Sequence, residues 1–455
     1  MNNNDKEQNK HTNNSQVAVL GAGMTGLAVA LLSGLPIYEA AEVAGGICSS
    51  YYVCPDDNKR LHTAPEDDEA YRFEIGGGHW IFGGDTAVLQ FIRSLTPVKS
   101  YERRSAVFFS KQGLYVPYPI QNHLSHLGKE IAARALTEIV KAPKGNPVTM
   151  ADWLEQNFGL TLMELFFAPF HERYTAGLWT QIAPQDAYKS PVDLSLVIQG
   201  AFNETPPVGY NATFVYPVEG LNTLAQQMAR RCKIHYGKQV VSIDARRKEI
   251  LFANGSGVEY KTLISTLPLN RMMEMAGLEV DEEPDPYTSV LVLNIGAKRG
   301  PRCPEEHWLY IPDSNSRFHR VGFYSNVDIS FLPRSSREAN DRVSIYVEKA
   351  YPGGQKPDES EIKALCEDVV GELQEWGWIE EAEVIDPTWI EVAYTWSWPG
   401  SGWRQKALKA LEKHGIYQVG RYGRWVFQGI ADSIRDGLYV GQTLSVNSVP
   451  RRVRG

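Results

Sequence analysis

The stretch Val17-Ala18-Val19-Leu20-Gly21-Ala22-Gly23-Met24-Thr25-Gly26 constrains the fold of this chain more than any other. An apolar, β-prone run enters a Gly-x-Gly-x-x-Gly turn, a helix-forming run leaves it, and a second apolar run ends at Glu39. Pieces in that order specify the strand, tight turn and helix that begin a parallel α/β sheet. Gly21 permits the turn, Gly23 admits a diphosphate to the helix N-terminus, and Gly26 lets the helix close on the sheet. Met24 and Thr25, the first helical residues, belong to the same seat, and Glu39 is placed to accept from a ribose hydroxyl. The pattern predicts dinucleotide binding. A tight strand-to-helix turn with no ligand is the plainer alternative.

Two more glycine clusters follow, Ala44-Gly45-Gly46-Ile47 and Phe73-Glu74-Ile75-Gly76-Gly77-Gly78-His79-Trp80. Without side chains, such segments let the main chain pass close to a bulky cofactor. This part of the chain resembles the glutathione-reductase-like and amine-oxidase-like flavoproteins, in which similar segments line the adenosine and the isoalloxazine. The resemblance implies FAD, and it adds Gly45, Gly46, Gly77 and Gly78 to the cofactor-binding residues.

At 455 residues, 43% hydrophobic and 22% charged, the chain is long enough for two or three globular domains. Its formal net charge of -8 argues against a broad electrostatic grip on nucleic acid. Cys48, Cys54, Cys232, Cys303 and Cys366 form neither a zinc spacing nor a dense disulfide pattern, which fits a reducing, cytoplasmic setting. The ten histidines show no metal-ligand spacing. No apolar run reaches the roughly 18 residues of a membrane helix, so no membrane partner is expected. Residues 1–15, polar throughout, read as a disordered leader and not as a secretory signal.

The expected fold class is α/β: a Rossmann-like FAD-binding domain, a helical insertion, and an antiparallel β-sheet substrate domain. The FAD-binding domain takes residues 16–122, 206–285 and 415–455, with strands at 240–243 and 262–266 and a final strand and helix within 418–441. Helical periodicity over 124–140, 152–174 and 193–202 assigns 123–205 to the insertion, which Pro206-Pro207 ends. Strand-like runs at 289–295, 308–311, 320–324 and 343–347 assign 286–414 to the substrate sheet. Asp358 and Glu361 form a capping box for a helix reaching about residue 373.

Gly77-Gly78-His79-Trp80-Ile81-Phe82, Val116-Pro117-Tyr118-Pro119-Ile120-Gln121-Asn122, Asn211-Ala212-Thr213-Phe214, Trp308-Leu309-Tyr310, residues 320–326 and Gly420-Arg421-Tyr422-Gly423-Arg424-Trp425 together resemble UDP-galactopyranose mutases of the longer, eukaryotic type. Around 174–184 the chain is also similar to protoporphyrinogen oxidases. The first resemblance implies redox-neutral chemistry, in which reduced FAD acts as nucleophile on a sugar's anomeric carbon and the ring recloses in its other size. NAD(P)H is then a candidate reductant. The resemblance implies His79 and Arg320 as catalytic residues, Val240 and Arg421 as further cofactor contacts, and Gln121, Asn122, Asn211, Tyr310, Arg320, Trp398 and Phe427 as substrate contacts. Where the family has a second diphosphate-binding arginine this chain has Pro191, with Lys189 the nearby cation. Where the family has two tyrosines it has Trp398 and Phe427.

Read without the family, Arg320 suits a phosphate bidentately, or an ordinary surface carboxylate. Tyr310 and Trp308 suit a base, a sugar, or a core. Gln121 and Asn122 also suit a helix cap. Three functions stay open: a mutase-like isomerase acting on a small sugar-containing substrate, with or without a nucleoside diphosphate; an FAD-dependent oxidoreductase of the amine oxidase or protoporphyrinogen oxidase type, with Trp398 and Phe427 as an aromatic wall; and a non-catalytic FAD-binding protein.

Overall fold

The computed structural model describes residues 17–55, 57, 59–142, 145–185, 192–202 and 212–448. The residues 1–15, Pro191, Lys189 and Asn211 singled out above lie outside the described residues.

Val17–Leu20 is the central strand of a five-stranded sheet in which every pairing is parallel. It lies between Ile37–Tyr38 and Thr262–Ser265, with Ile234–His235 and Ile416–Gln418 outside them. A strand covered on both faces needs an unbroken apolar run, and Ala18, Val19 and Leu20 are all fully buried. The helix Met24–Ser33 lies against this sheet. All of Met24 to Ala30 is buried, so it is a core helix with no polar face over that span. Gly34, at φ 69°, ends it by donating its N–H to the Ala30 carbonyl. The helix Ile430–Ser448 packs along it, and at Gly437 and Gly441 the absence of a side chain lets the two backbones touch.

The second sheet has seven strands, in the order Ile379–Thr395, Tyr287–Arg299, Arg342–Pro352, Arg320–Phe323, Trp308–Tyr310, Ser105–Phe109 and Leu114–Pro117. Its pairings are antiparallel except that Trp308–Tyr310 runs parallel to Ser105–Phe109. The strands Ser105–Phe109 and Leu114–Pro117, which the sequence reading placed within 16–122, form a hairpin of this seven-stranded sheet, and Phe108 is buried in the same core as Leu293, Val321 and Ile345. The capping box is present, Asp358 accepting from the Glu361 N–H and Glu361 from the Asp358 N–H, each at 2.9 Å. The helix it opens, Glu359–Glu375, buries Leu365, Val369 and Leu373.

Helical periodicity over 152–174 resolves into Met150–Leu162, a π-turn Met163–Phe167 and Ala168–Tyr174. Gly159, at φ 72°, breaks the first of these, and the π-turn shifts the register of the aromatic side chains behind it. Phe158 and Phe167 stack at 4.1 Å inside this unit. Val240–Asp244, expected in the nucleotide domain, pairs in a small antiparallel sheet with Glu249–Phe252 and Gly257–Glu259, apart from the parallel sheet.

Candidate functional site

One cavity of about 500 Å³ runs from the Gly-x-Gly-x-x-Gly turn to the helices of residues 150–174. At its first end Gly21, at φ 90°, donates its N–H to the Tyr38 carbonyl at 2.9 Å and turns the chain into the helix. A side chain at Gly26 would land on the Gly21 carbonyl, so Gly26 sets how closely the helix sits on the turn and is not itself in the cavity wall. Gly23 is different: a methyl there meets nothing within 4 Å, because it would stand in the cavity. The helix that starts at Met24 has no side-chain cap and no acid in its first turn, which leaves its positive end directed at that space. Thr25, Gly45 and Gly46 line the same end. Glu39 lines it too, its carboxylate accepting from the Ala22 N–H at 2.6 Å and the Ala41 N–H at 2.8 Å. An open Gly23 at an uncapped helix end, with a fixed carboxylate beside it, fits a dinucleotide diphosphate and ribose.

Gly78 and His79 line the middle of the cavity with Arg421. Side chains at Gly77 and Gly78 would strike Glu348 and the Tyr346 hydroxyl, so this loop lies flat on the seven-stranded sheet and Gly77 sits just behind the wall. His79 faces the Gly77 carbonyl at 3.3 Å through Nδ1. Burial, then the nearby Arg421 cation, push it down to about 4, so the ring is neutral at pH 7. Arg421 donates to the Gln428 and Ala393 carbonyls at 3.2 and 3.0 Å and lies 4.6 Å from the Phe427 ring centre.

Arg320 and Glu348 stand directly opposite one another on antiparallel strands. The guanidinium contacts both carboxylate oxygens at 2.5 Å and the Tyr394 hydroxyl at 3.4 Å. Glu348 is only 2% exposed. Burial works to raise it, but the Arg320 guanidinium outweighs burial and holds it down at about 2. Arg320 thus meets a buried carboxylate, not the surface one left open by the sequence.

The far end is aromatic. Tyr310 lines it, 4.5 Å from Tyr118 between ring centres and accepting from the Trp308 indole N–H at 3.2 Å. Met150, Trp153, Leu154, Phe166, Phe167, Phe170, Tyr174 and Trp396 line that side, joined by His171 and Gln185. Phe427 is in the cavity wall. Trp398 is not: its indole N–H donates to the Pro284 carbonyl at 3.1 Å and its backbone N–H to Asp285 at 3.0 Å, which turn it away. Gln121 and Asn122 are buried beside the helix Leu194–Phe202, whose Gly200 lies against the Asn122 carbonyl, and neither reaches the cavity. Val240 is outside it as well. The sequence reading missed Glu348, His319, Tyr394 and Trp396. Only the alternation of Tyr394 and Trp396 along one strand face signalled any of them.

Among the described residues no cluster of metal-ligating side chains occurs, and no helix is long and apolar enough to cross a membrane. All five cysteines are free. The family described as flavin containing amine oxidoreductase matches residues 35–441. The chain belongs to that family. Membership implies FAD, and the open Gly23, the helix end and Glu39 suit it. Solved structures similar to this chain include reduced UDP-galactopyranose mutase, 23% identical with a TM-score of 0.80 over 96% of each chain. A CLA-producing fatty acid isomerase from P. acnes is 14% identical, with a TM-score of 0.59 over 96% of this chain and 99% of that one. Putrescine oxidase bound to putrescine is 15% identical, with a TM-score of 0.56 over 95% and 99%. At these identities the likeness shows a shared fold, mixed α/β with one parallel and several antiparallel sheets.

Proposed function

We propose that this flavoenzyme is an isomerase of the UDP-galactopyranose mutase type, rearranging the sugar ring of a glycosyl substrate without net redox change. The observation that carries the reading is the polar group gathered against the flavin loop: the Arg320–Glu348 pair, the Tyr394 hydroxyl and neutral His79 line one stretch of the cavity. A sugar needs several donors and acceptors held in fixed positions. Guanidinium N–H groups, a carboxylate, a hydroxyl and a neutral imidazole supply both kinds. The TM-score of 0.80 to UDP-galactopyranose mutase, against 0.59 and 0.56 for the isomerase and the oxidase, supports the same reading. Bound FAD supplies the electron chemistry. The residues of this chain hold the sugar, fix the proton on His79 and keep water out behind an aromatic wall.

Dithionite-reduced protein should convert UDP-galactopyranose or 4-nitrophenyl galactopyranoside to a furanose isomer, detected by NMR, with oxidised protein inactive and no oxygen consumed. Failure with both glycosides, together with peroxide formed in step with oxidation of an apolar amine or alcohol, would establish an oxidase instead. That second reading is favoured by the wall of Phe166, Phe167 and Phe170.

A further inference from the structure

Past the Arg320–Glu348 pair the cavity enters the helical insertion and its chemistry changes. Phe166, Phe167, Phe170, Trp153 and Trp396 enclose it there. Among the described residues, the Asp, Glu, Lys and Arg side chains lining the whole cavity are Glu39, Arg320, Glu348 and Arg421. Glu39 stands at the diphosphate end, Arg320 and Glu348 neutralise one another, and Arg421 is engaged with two carbonyls and the Phe427 ring. An anion in this chamber would lose its water without gaining a cation from the described lining. His171, Tyr174 and Gln185 bring polar atoms to this lining, and His319 stands beside them. It is 1% exposed, packs 5.4 Å from Tyr174 and 6.1 Å from Phe170 between ring centres, and lines the cavity. Among the described residues neither ring nitrogen has a hydrogen-bond partner. Nε2 lies 3.6 Å from the Glu348 carboxylate, too far for an ordinary hydrogen bond. Leaving such a group buried and unsatisfied carries a desolvation cost that a ligand can recover.

We infer that this chamber binds an uncharged, apolar portion of the substrate, a ring bearing a hydroxyl or carbonyl, and that His319 is the residue that hydrogen-bonds that group. The inference rests on reading the cavity as the substrate site. Burial disfavours protonation of His319, and a neutral imidazole offers one donor and one acceptor, the complement of a hydroxyl.

The test uses the FAD-loaded full-length protein titrated with p-cresol, toluene, p-toluate and UDP, following tryptophan fluorescence and the visible flavin spectrum. The first three share a ring and differ only in the polar group. p-Cresol should bind at least tenfold more tightly than p-toluate or UDP and several-fold more tightly than toluene. His319→Phe should reduce p-cresol to the affinity of toluene while leaving toluene within twofold, and His319→Gln should preserve most of the preference for p-cresol. FAD content and melting temperature show whether each variant is folded. If His319→Phe is not, the four-ligand ranking and His319→Gln still decide. Tighter binding of p-toluate or UDP, or no saturable p-cresol binding, overturns the chamber assignment. An unchanged cresol-to-toluene ratio in folded His319→Phe overturns the role of His319. These are binding measurements, so absence of isomerase activity would sink the proposed reaction and leave this inference standing.

Discussion

Arg320 and Glu348 decide together what either can do alone. Removing the arginine leaves a carboxylate buried without its counter-charge, so Arg320→Ala should lose about 3–5 kcal/mol of stability in urea denaturation. Arg320→Leu combined with Glu348→Leu should recover most of it, and a loss in the double variant equal to or larger than the single would contradict the pairing. Glu74 is the opposite case: a fully buried carboxyl that Ser50 and Tyr216 hydrogen-bond but no cation contacts at hydrogen-bond distance. Burial outweighs those bonds and pushes it from near 4.5 up to about 7. Between those values the folded chain holds a proton that the unfolded chain has released, so this group makes stability fall as pH rises through that window. Glu74→Gln should flatten that slope and gain on the parent from about pH 5 to about pH 8 in chemical denaturation; parallel curves would refute the assignment. At this scale the sequence makes a backbone role legible where neighbouring residues show it, as at the positive-φ turn of Gly21. It was read poorly where a side chain's direction depends on distant partners. Trp398 is turned outward by Pro284 and Asp285, and His319 acquires its meaning only beside Phe170 and Tyr174.

Among the elements, the turn between the first strand and helix separates two kinds of glycine. Gly23→Val should yield a folded protein without flavin, because the new side chain enters open space that the diphosphate needs. Gly26→Val should lower the melting temperature as well, because the side chain strikes the Gly21 carbonyl. Flavin absorbance and thermal melts on both variants check this, and a yellow Gly23→Val protein would refute the seat. The helix Glu359–Glu375 was legible from its Asp358–Glu361 box, a local signal. The strand Ile379–Thr395 was not expected. It is an edge strand, so it tolerates Pro387 and alternates polar with apolar residues irregularly across its register shifts. Among the described residues its strand partner is Tyr287–Arg299, which lies far away in sequence.

For the whole molecule, domains cut from sequence texture do not match the sheets that form. A fragment of residues 286–414 lacks the strands Ser105–Phe109 and Leu114–Pro117, and so exposes Leu309 and Val321 of the shared core. It should fail to unfold cooperatively by circular dichroism, and a sharp reversible melt would show that the hairpin is dispensable. The fold class was legible because it follows from the order of strand, turn and helix. The boundaries were not, because the chain returns to each sheet more than once. The contact of Met24–Ser33 with Ile430–Ser448, and of Val17–Leu20 with Thr262–Ser265, has a further consequence during protein synthesis. The Gly-x-Gly-x-x-Gly turn leaves the ribosome hundreds of residues before the strand beside it and the helix that covers it. The nascent chain therefore carries an exposed apolar strand until those segments emerge, and a complete seat for a cofactor at that turn forms only after them.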